Sequence, residues 1–173
     1  MWDEIKNAKK LTTEIVAPNC AKRVVVALCV AAVAPILLTL GGATVTKVVL
    51  VSALVNFCFA HAVFKVTLRS LLPSVLRDAI IFAVGAVLFG QPWSILWSRV
   101  FDTLCWALYC ASSVKLATNQ VVGFGVTCGG IVLFSPLLVL DWMRWWQNWP
   151  IPAILGVAAA DLALVLYYLF LMY

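Results

Sequence analysis

Apolar residues run almost unbroken along this chain, and the polar positions that interrupt them set off six segments, 24–40, 46–64, 73–89, 94–114, 121–140 and 151–172. Each approaches the roughly 20 apolar residues that a helix needs to cross a bilayer. Gly41-Gly42 ends the first, Lys47 and Lys65 bracket the second, and Gly90-Gln91-Pro92 closes the third, which Pro73 opens at a first-turn position. The runs lack the alternation of barrel strands, and backbone groups in lipid must be satisfied within each segment. The pattern therefore predicts an all-α, polytopic transmembrane bundle of about six spans, a single domain over 24–173. Before it lies a mixed-charge, amphipathic-looking segment, 1–23. The first apolar run begins only at Val24 and leads into further spans, so a cleaved signal is not expected.

Charge sharpens that picture. Only 11% of residues are charged and 65% are hydrophobic, against roughly 25% charged in an ordinary globular domain. Of the twelve cations, nine (Lys6, Lys9, Lys10, Lys22, Arg23, Lys65, Arg69, Arg77, Lys115) fall on one side of a six-span layout and three (Lys47, Arg99, Arg144) on the other. Cations accumulate on the cytosolic side. Both termini are therefore expected in the cytosol, with the 141–149 loop facing the lumen or exterior. The net charge of +5 comes from cations flanking apolar spans rather than from a soluble basic face, so no nucleic-acid partner is expected. The six cysteines form no C-x-x-C and no paired spacing with histidine, so neither metal nor cofactor is expected. Cys20, beside Lys22 and Arg23, is a candidate for palmitoylation.

Groups able to do chemistry are sparse. Asp161 stands mid-span in A-A-A-D-L-A-L, where a carboxylate is costly and should face the bundle interior. A proton or ion relay would use it; the plainer reading is a hydrogen bond to Ser, Thr or Asn of a neighbouring helix. Asn56 is a second candidate for such contacts. Asp102, three residues after Arg99, reads as half of an ion pair on one helix face. His61 has no acid or cysteine beside it in sequence. No Gly-rich phosphate loop, G-x-S-x-G or H-E-x-x-H occurs, so no catalytic residues are assigned.

Tryptophan is placed more pointedly. Six of the eight (Trp93, Trp97, Trp142, Trp145, Trp146, Trp149) map to the predicted luminal boundary. An aromatic belt would produce indoles at that depth, but on both faces. Trp142, Trp145, Trp146 and Trp149 share the spacing of one face of a short surface helix. Asp141 would cap that helix, and Arg144 would pair with it or reach an anion.

The stretch Leu140-Asp141-Trp142-Met143-Arg144-Trp145-Trp146-Gln147-Asn148-Trp149-Pro150-Ile151 resembles the C-terminal signature of the PIG-F family, approximately L-D-W-[DE]-R-P-W-Q-x-W-P-[ILV]. Leu140, Asp141, Trp142, Arg144, Trp146, Gln147, Trp149, Pro150 and Ile151 match in register, and Gly130, Gly156 and Gly90-Gln91-Pro92 fit further positions. Met143 replaces an acid, Trp145 a proline and Phe134 a glycine, and Asp161 is not a feature of the family. The resemblance implies a multi-pass protein of the endoplasmic reticulum membrane, acting in glycosylphosphatidylinositol (GPI) anchor synthesis. Such a protein is a non-catalytic partner that stabilises the large multi-pass GPI ethanolamine-phosphate transferases, amid membrane lipids and the GPI precursor. The alternatives from the residues alone are a small transporter or channel using Asp161, and an intramembrane lipid enzyme using Asp102, Asp141 or His61. Clustered polar residues at mid-depth of several helices would favour the transporter.

Overall fold

A computed structural model of the chain describes residues 18–40, 44–64, 68–88, 91, 99–117, 119–138 and 149–172. Among these residues there are six α-helices: α1 (Pro18–Leu40), α2 (Val45–Phe64), α3 (Leu68–Gly85), α4 (Val100–Val114), α5 (Gln120–Phe134) and α6 (Ile151–Met172). A 3-10 turn, Ser135–Leu138, follows α5. The described residues contain no strand, so the all-α expectation holds.

Proline accounts for two differences from the expected segments. Pro73 is the sixth residue of α3 and lies inside it, not in its first turn. Its ring forgoes one helix hydrogen bond, and the leucine-rich turn before it, Leu68-Arg69-Ser70-Leu71-Leu72, forms helix regardless. In the fifth segment the α-helix stops at Phe134 instead of running to 140. Pro136 offers no N–H to continue the α-helical ladder, and the chain tightens into the 3-10 turn while Ser135 itself keeps helical angles, φ −57° and ψ −37°. At the other end of α5, Asn119 caps the helix, its side chain accepting from the amides of Val121 and Val122 at 3.0 and 3.3 Å.

Two helices, α2 and α6, are long and apolar enough to cross a membrane. The 15 residues each of α4 and α5 fall short of that length.

Cross-helix contacts fix the directions. Thr46 meets Asp102 and Asn56 meets Ser112, both pairs 56 residues apart, so α2 and α4 run parallel and in constant register. Arg99 reaches Trp149 and Ser113 reaches Asp161, which aligns α6 with α4. Helix α3 runs the opposite way, placing Asp78 at Lys115 and Phe82 at Trp106. The fold is thus an up-and-down bundle with α4 at its centre, packed on α2 and α3 and touching α5 and α6. From Tyr109 to Ala117 every residue is buried.

The bundle is apolar outside as well as in its core, and a minority of polar side chains is turned inward. Helix α2 turns Ser52 and Asn56 inward and Val51 and Leu54 outward. Val84, Leu88, Val121, Leu133 and Phe170 are each more than 70% exposed. Where α5 crosses α6, backbones touch: a Cβ on Gly156 would lie 2.7 Å from the Gly130 carbonyl oxygen and 2.8 Å from Ile131 Cα. Small residues permit this approach, as in helix pairs packed within lipid.

Candidate functional site

The tryptophan-rich loop is seen only at its end. Asp141, Trp142, Arg144, Trp146 and Gln147 lie outside the described residues, as do Trp93 and Trp97. Trp149 and Pro150 are buried. The Trp149 ring stands edge-on to Trp106 of α4, centroids 5.0 Å apart, and Trp106 in turn meets Phe82 of α3 at 6.2 Å. Arg99 Nη1 donates to the Trp149 carbonyl at 2.9 Å, tying the start of α4 to the start of α6. Nearby, Gln91 Nε2 donates to Thr103 Oγ1 at 2.7 Å, and that hydroxyl donates to the Arg99 carbonyl at 3.0 Å. Arg99 and Asp102 do not pair, contrary to the i, i+3 expectation. Arg99 is the N-cap residue, with φ −122° and ψ 25°, so it lies off the helical face. Asp102 Oδ1 instead accepts from Thr46 Oγ1 at 2.5 Å.

Further along, polar groups gather on both sides of α4. Ser113 Oγ donates to Asp161 Oδ1 of α6, and neither residue is exposed. The adjacent Ser112 faces α2 and accepts from Asn56 Nδ2 at 3.3 Å while donating to the Tyr109 carbonyl at 2.7 Å. Asp161 Oδ2, Asn56 Oδ1, Ser52 Oγ and Thr127 Oγ1 are buried without a hydrogen-bond partner among the described residues. Open valences at this depth are costly. Four polar side chains, Asn56 of α2, Ser112 and Ser113 of α4 and Asp161 of α6, thus form two knots flanking one helix.

A third site lies at the opposite end from Trp149. Lys115, just past α4, is 5% exposed, and its ammonium sits 2.5 Å from Asp78 Oδ2 and 3.2 Å from Gln120 Oε1. Arg77 holds the other carboxylate oxygen at 2.8 Å from the surface. Lys115 also lines a cleft of about 390 Å³ with Ser70, Ser74 and Gln120, against Phe64 and Leu71.

No protein-family model matches the chain, nor does any curated protein or solved structure.

Each described aspartate has its own setting: Asp78 with Arg77 and Lys115, Asp102 with Thr46, Asp161 with Ser113. No group of three His, Cys, Asp or Glu side chains could hold a metal among the described residues. Sequence reasoning missed the Lys115 site, reading that lysine only as an orientation signal. A usable signal was present: Lys115 is the sole charge between Asp102 and Asp141, with Gln120 one helix turn beyond. Ser112 and Ser113 were also missed, because serine in a helix can bond its own backbone and names no partner.

Proposed function

We propose that the chain is a six-span scaffold of the endoplasmic reticulum membrane with both termini in the cytosol. Like the PIG-F proteins, it binds and stabilises a large GPI ethanolamine-phosphate transferase without carrying out the transfer. The observation that carries this reading is the wording of 140–151, where nine of twelve residues match that family's signature in register. The apolar exterior and the inward turn of polar side chains such as Ser52, Asn56 and Asp161 support the membrane setting. The burial of Trp149 beside Trp106, under the Arg99 clasp, supports a structural role for the end of the motif. On this reading the loop before it presents Trp142 and Trp146 as rigid anchors at the luminal boundary, with Asp141 and Arg144 holding its shape.

Affinity purification in mild detergent tests the proposal. Asp141→Ala, Arg144→Ala and Trp146→Ala should each lower the transferase recovered per unit of membrane-inserted protein. A lost Trp anchor costs more than about 2 kcal/mol, some thirtyfold in association. Trp145→Ala, at the position where this chain departs from the signature, should have little effect. Normal recovery with all four variants would make the loop an ordinary aromatic belt.

A second reading has an observation of its own. The knots around Asp161 and Asn56 bring buried polar groups of α2, α4 and α6 together inside the bundle, which is what a small transporter or channel would need. Asp161→Asn separates the two: a relay acid loses its function with the proton site, whereas a structural acceptor keeps its bond from Ser113. Proton-coupled uptake by reconstituted wild-type protein, abolished in Asp161→Asn, would establish this second reading.

A further inference from the structure

We infer that the cleft at Lys115 is a binding site for the phosphate of an anionic lipid headgroup. The inference does not depend on the transferase partner; it rests on charge and shape at the end of the bundle opposite Trp149. Burying a lysine is expensive unless the charge is paired. Here the pairing carboxylate, Asp78, is already held by Arg77, so two cations share one acid and the cluster keeps a surplus positive charge. Arg23 and Arg69 lie at the same end, where Asp78 is the only acid among the described residues. Two of the three ammonium donors are taken, by Asp78 and Gln120, which leaves one, and Lys115 is among the residues that line the cleft. The bond from Lys115 to Gln120 Oε1 fixes the amide so that its Nε2 remains a donor. Ser70 and Ser74 also line the cleft, the Ser74 hydroxyl donating to the Leu71 carbonyl at 2.8 Å, and Phe64 and Leu71 add apolar surface.

A lysine ammonium and an oriented amide suit phosphate oxygens, and the apolar surface of Phe64 and Leu71 suits the first carbons of an acyl chain. The volume, about 390 Å³, lies within the range of small-molecule sites. A soluble phosphate shares the polar chemistry but gains nothing from Phe64 and Leu71, so the lipid is favoured.

The test uses full-length protein, purified in an uncharged detergent and stripped of lipid, with binding read by native mass spectrometry. Phosphatidic acid should bind about tenfold tighter than phosphatidylcholine with the same chains, the worth of one charge-assisted hydrogen bond. Ser70→Trp fills the mouth of the cleft from an exposed position and leaves the ion pair intact; it should abolish the preference without changing the melting temperature. Gln120→Leu, also at an exposed position, should reduce the preference by removing the amide, and it carries the test if the tryptophan disturbs folding. Excess inorganic phosphate should leave lipid binding unchanged. Equal binding of the two lipids, a preference that survives both substitutions, or full competition by inorganic phosphate would each overturn the inference.

Discussion

At Lys115 and Asp78 the cost of removing a partner differs sharply from the cost of removing both. Asp78→Ala leaves a lysine that is 5% exposed without its carboxylate, and breaking a buried pair in this way costs about 3–5 kcal/mol. Replacing the pair together, as Asp78→Leu with Lys115→Met, should cost far less, because the desolvation penalty disappears along with the attraction. Arg77→Ala, at a surface side chain, should stay within about 1 kcal/mol. Thermal unfolding in one detergent should rank them Asp78→Ala below the double variant, and the double variant near Arg77→Ala. A double variant as unstable as Asp78→Ala would mean that the pair contributes net stability. Trp149 offers a second case at this scale. Its ring is 3% exposed and rests on Trp106, so Trp149→Ala should lose about 3–5 kcal/mol, while Trp149→Phe should lose a fraction of that. Equal melting temperatures for both variants would show that the ring contact carries little. Sequence could flag Asp161 and Asn56, since a polar residue in an apolar run must find company. It could not supply Ser113 and Ser112 as partners 48 and 56 residues away, because spacing along one helix carries no information about its neighbours.

Among the helices, α2 and α6 were the most legible, because each is one long uncharged or nearly uncharged run bounded by polar or proline residues. The bounds of α3 and α5 were not, because proline permits two outcomes that only packing decides. Pro73 is carried within a helix, whereas Pro136 ends one. The close crossing of α5 and α6 was hidden for a related reason: glycines at 123, 125, 129, 130 and 156 look alike in sequence, yet the structure separates them. A Cβ at Gly125 or Gly129 meets nothing within 4 Å, whereas one at Gly123 would lie 2.6 Å from Ala117 Cβ and one at Gly156 would strike backbone. Gly156→Ala and Gly130→Ala should therefore destabilise by about 1–3 kcal/mol through overpacking. Gly125→Ala and Gly129→Ala should be neutral or stabilising by up to about 1 kcal/mol, from helix propensity alone. Melting temperatures of the four single variants check this. Equal tolerance at 129 and 156 would rule out direct backbone contact between α5 and α6.

The whole molecule presents two ends that differ in charge. One carries Thr46, Lys47, Gln91, Arg99, Asp102 and Trp149; the other carries Arg23, Ser70, Arg77, Asp78, Lys115 and Gln120. Among the described residues, alternating helix directions put Arg23, Arg69, Arg77 and Lys115 at one end and Lys47 and Arg99 at the other; if the bundle spans a membrane as proposed, that bias would place the first end in the cytosol. The sequence could count cations per loop but could not show that the loops meet at one end; the constant 56-residue offset between α2 and α4 supplies that link. Lys47 and Ser70 are exposed at opposite ends. With the six native cysteines replaced, Ser70→Cys should therefore react with an impermeant maleimide added outside sealed, cytosol-side-out microsomes. Lys47→Cys should react only after the membrane is opened. Adding a lysine pair near position 47 should weaken that orientation, because the bias rests on an excess of cations rather than on any one residue. Labelling of both positions from the same side of intact vesicles would rule out the alternating bundle as a membrane topology.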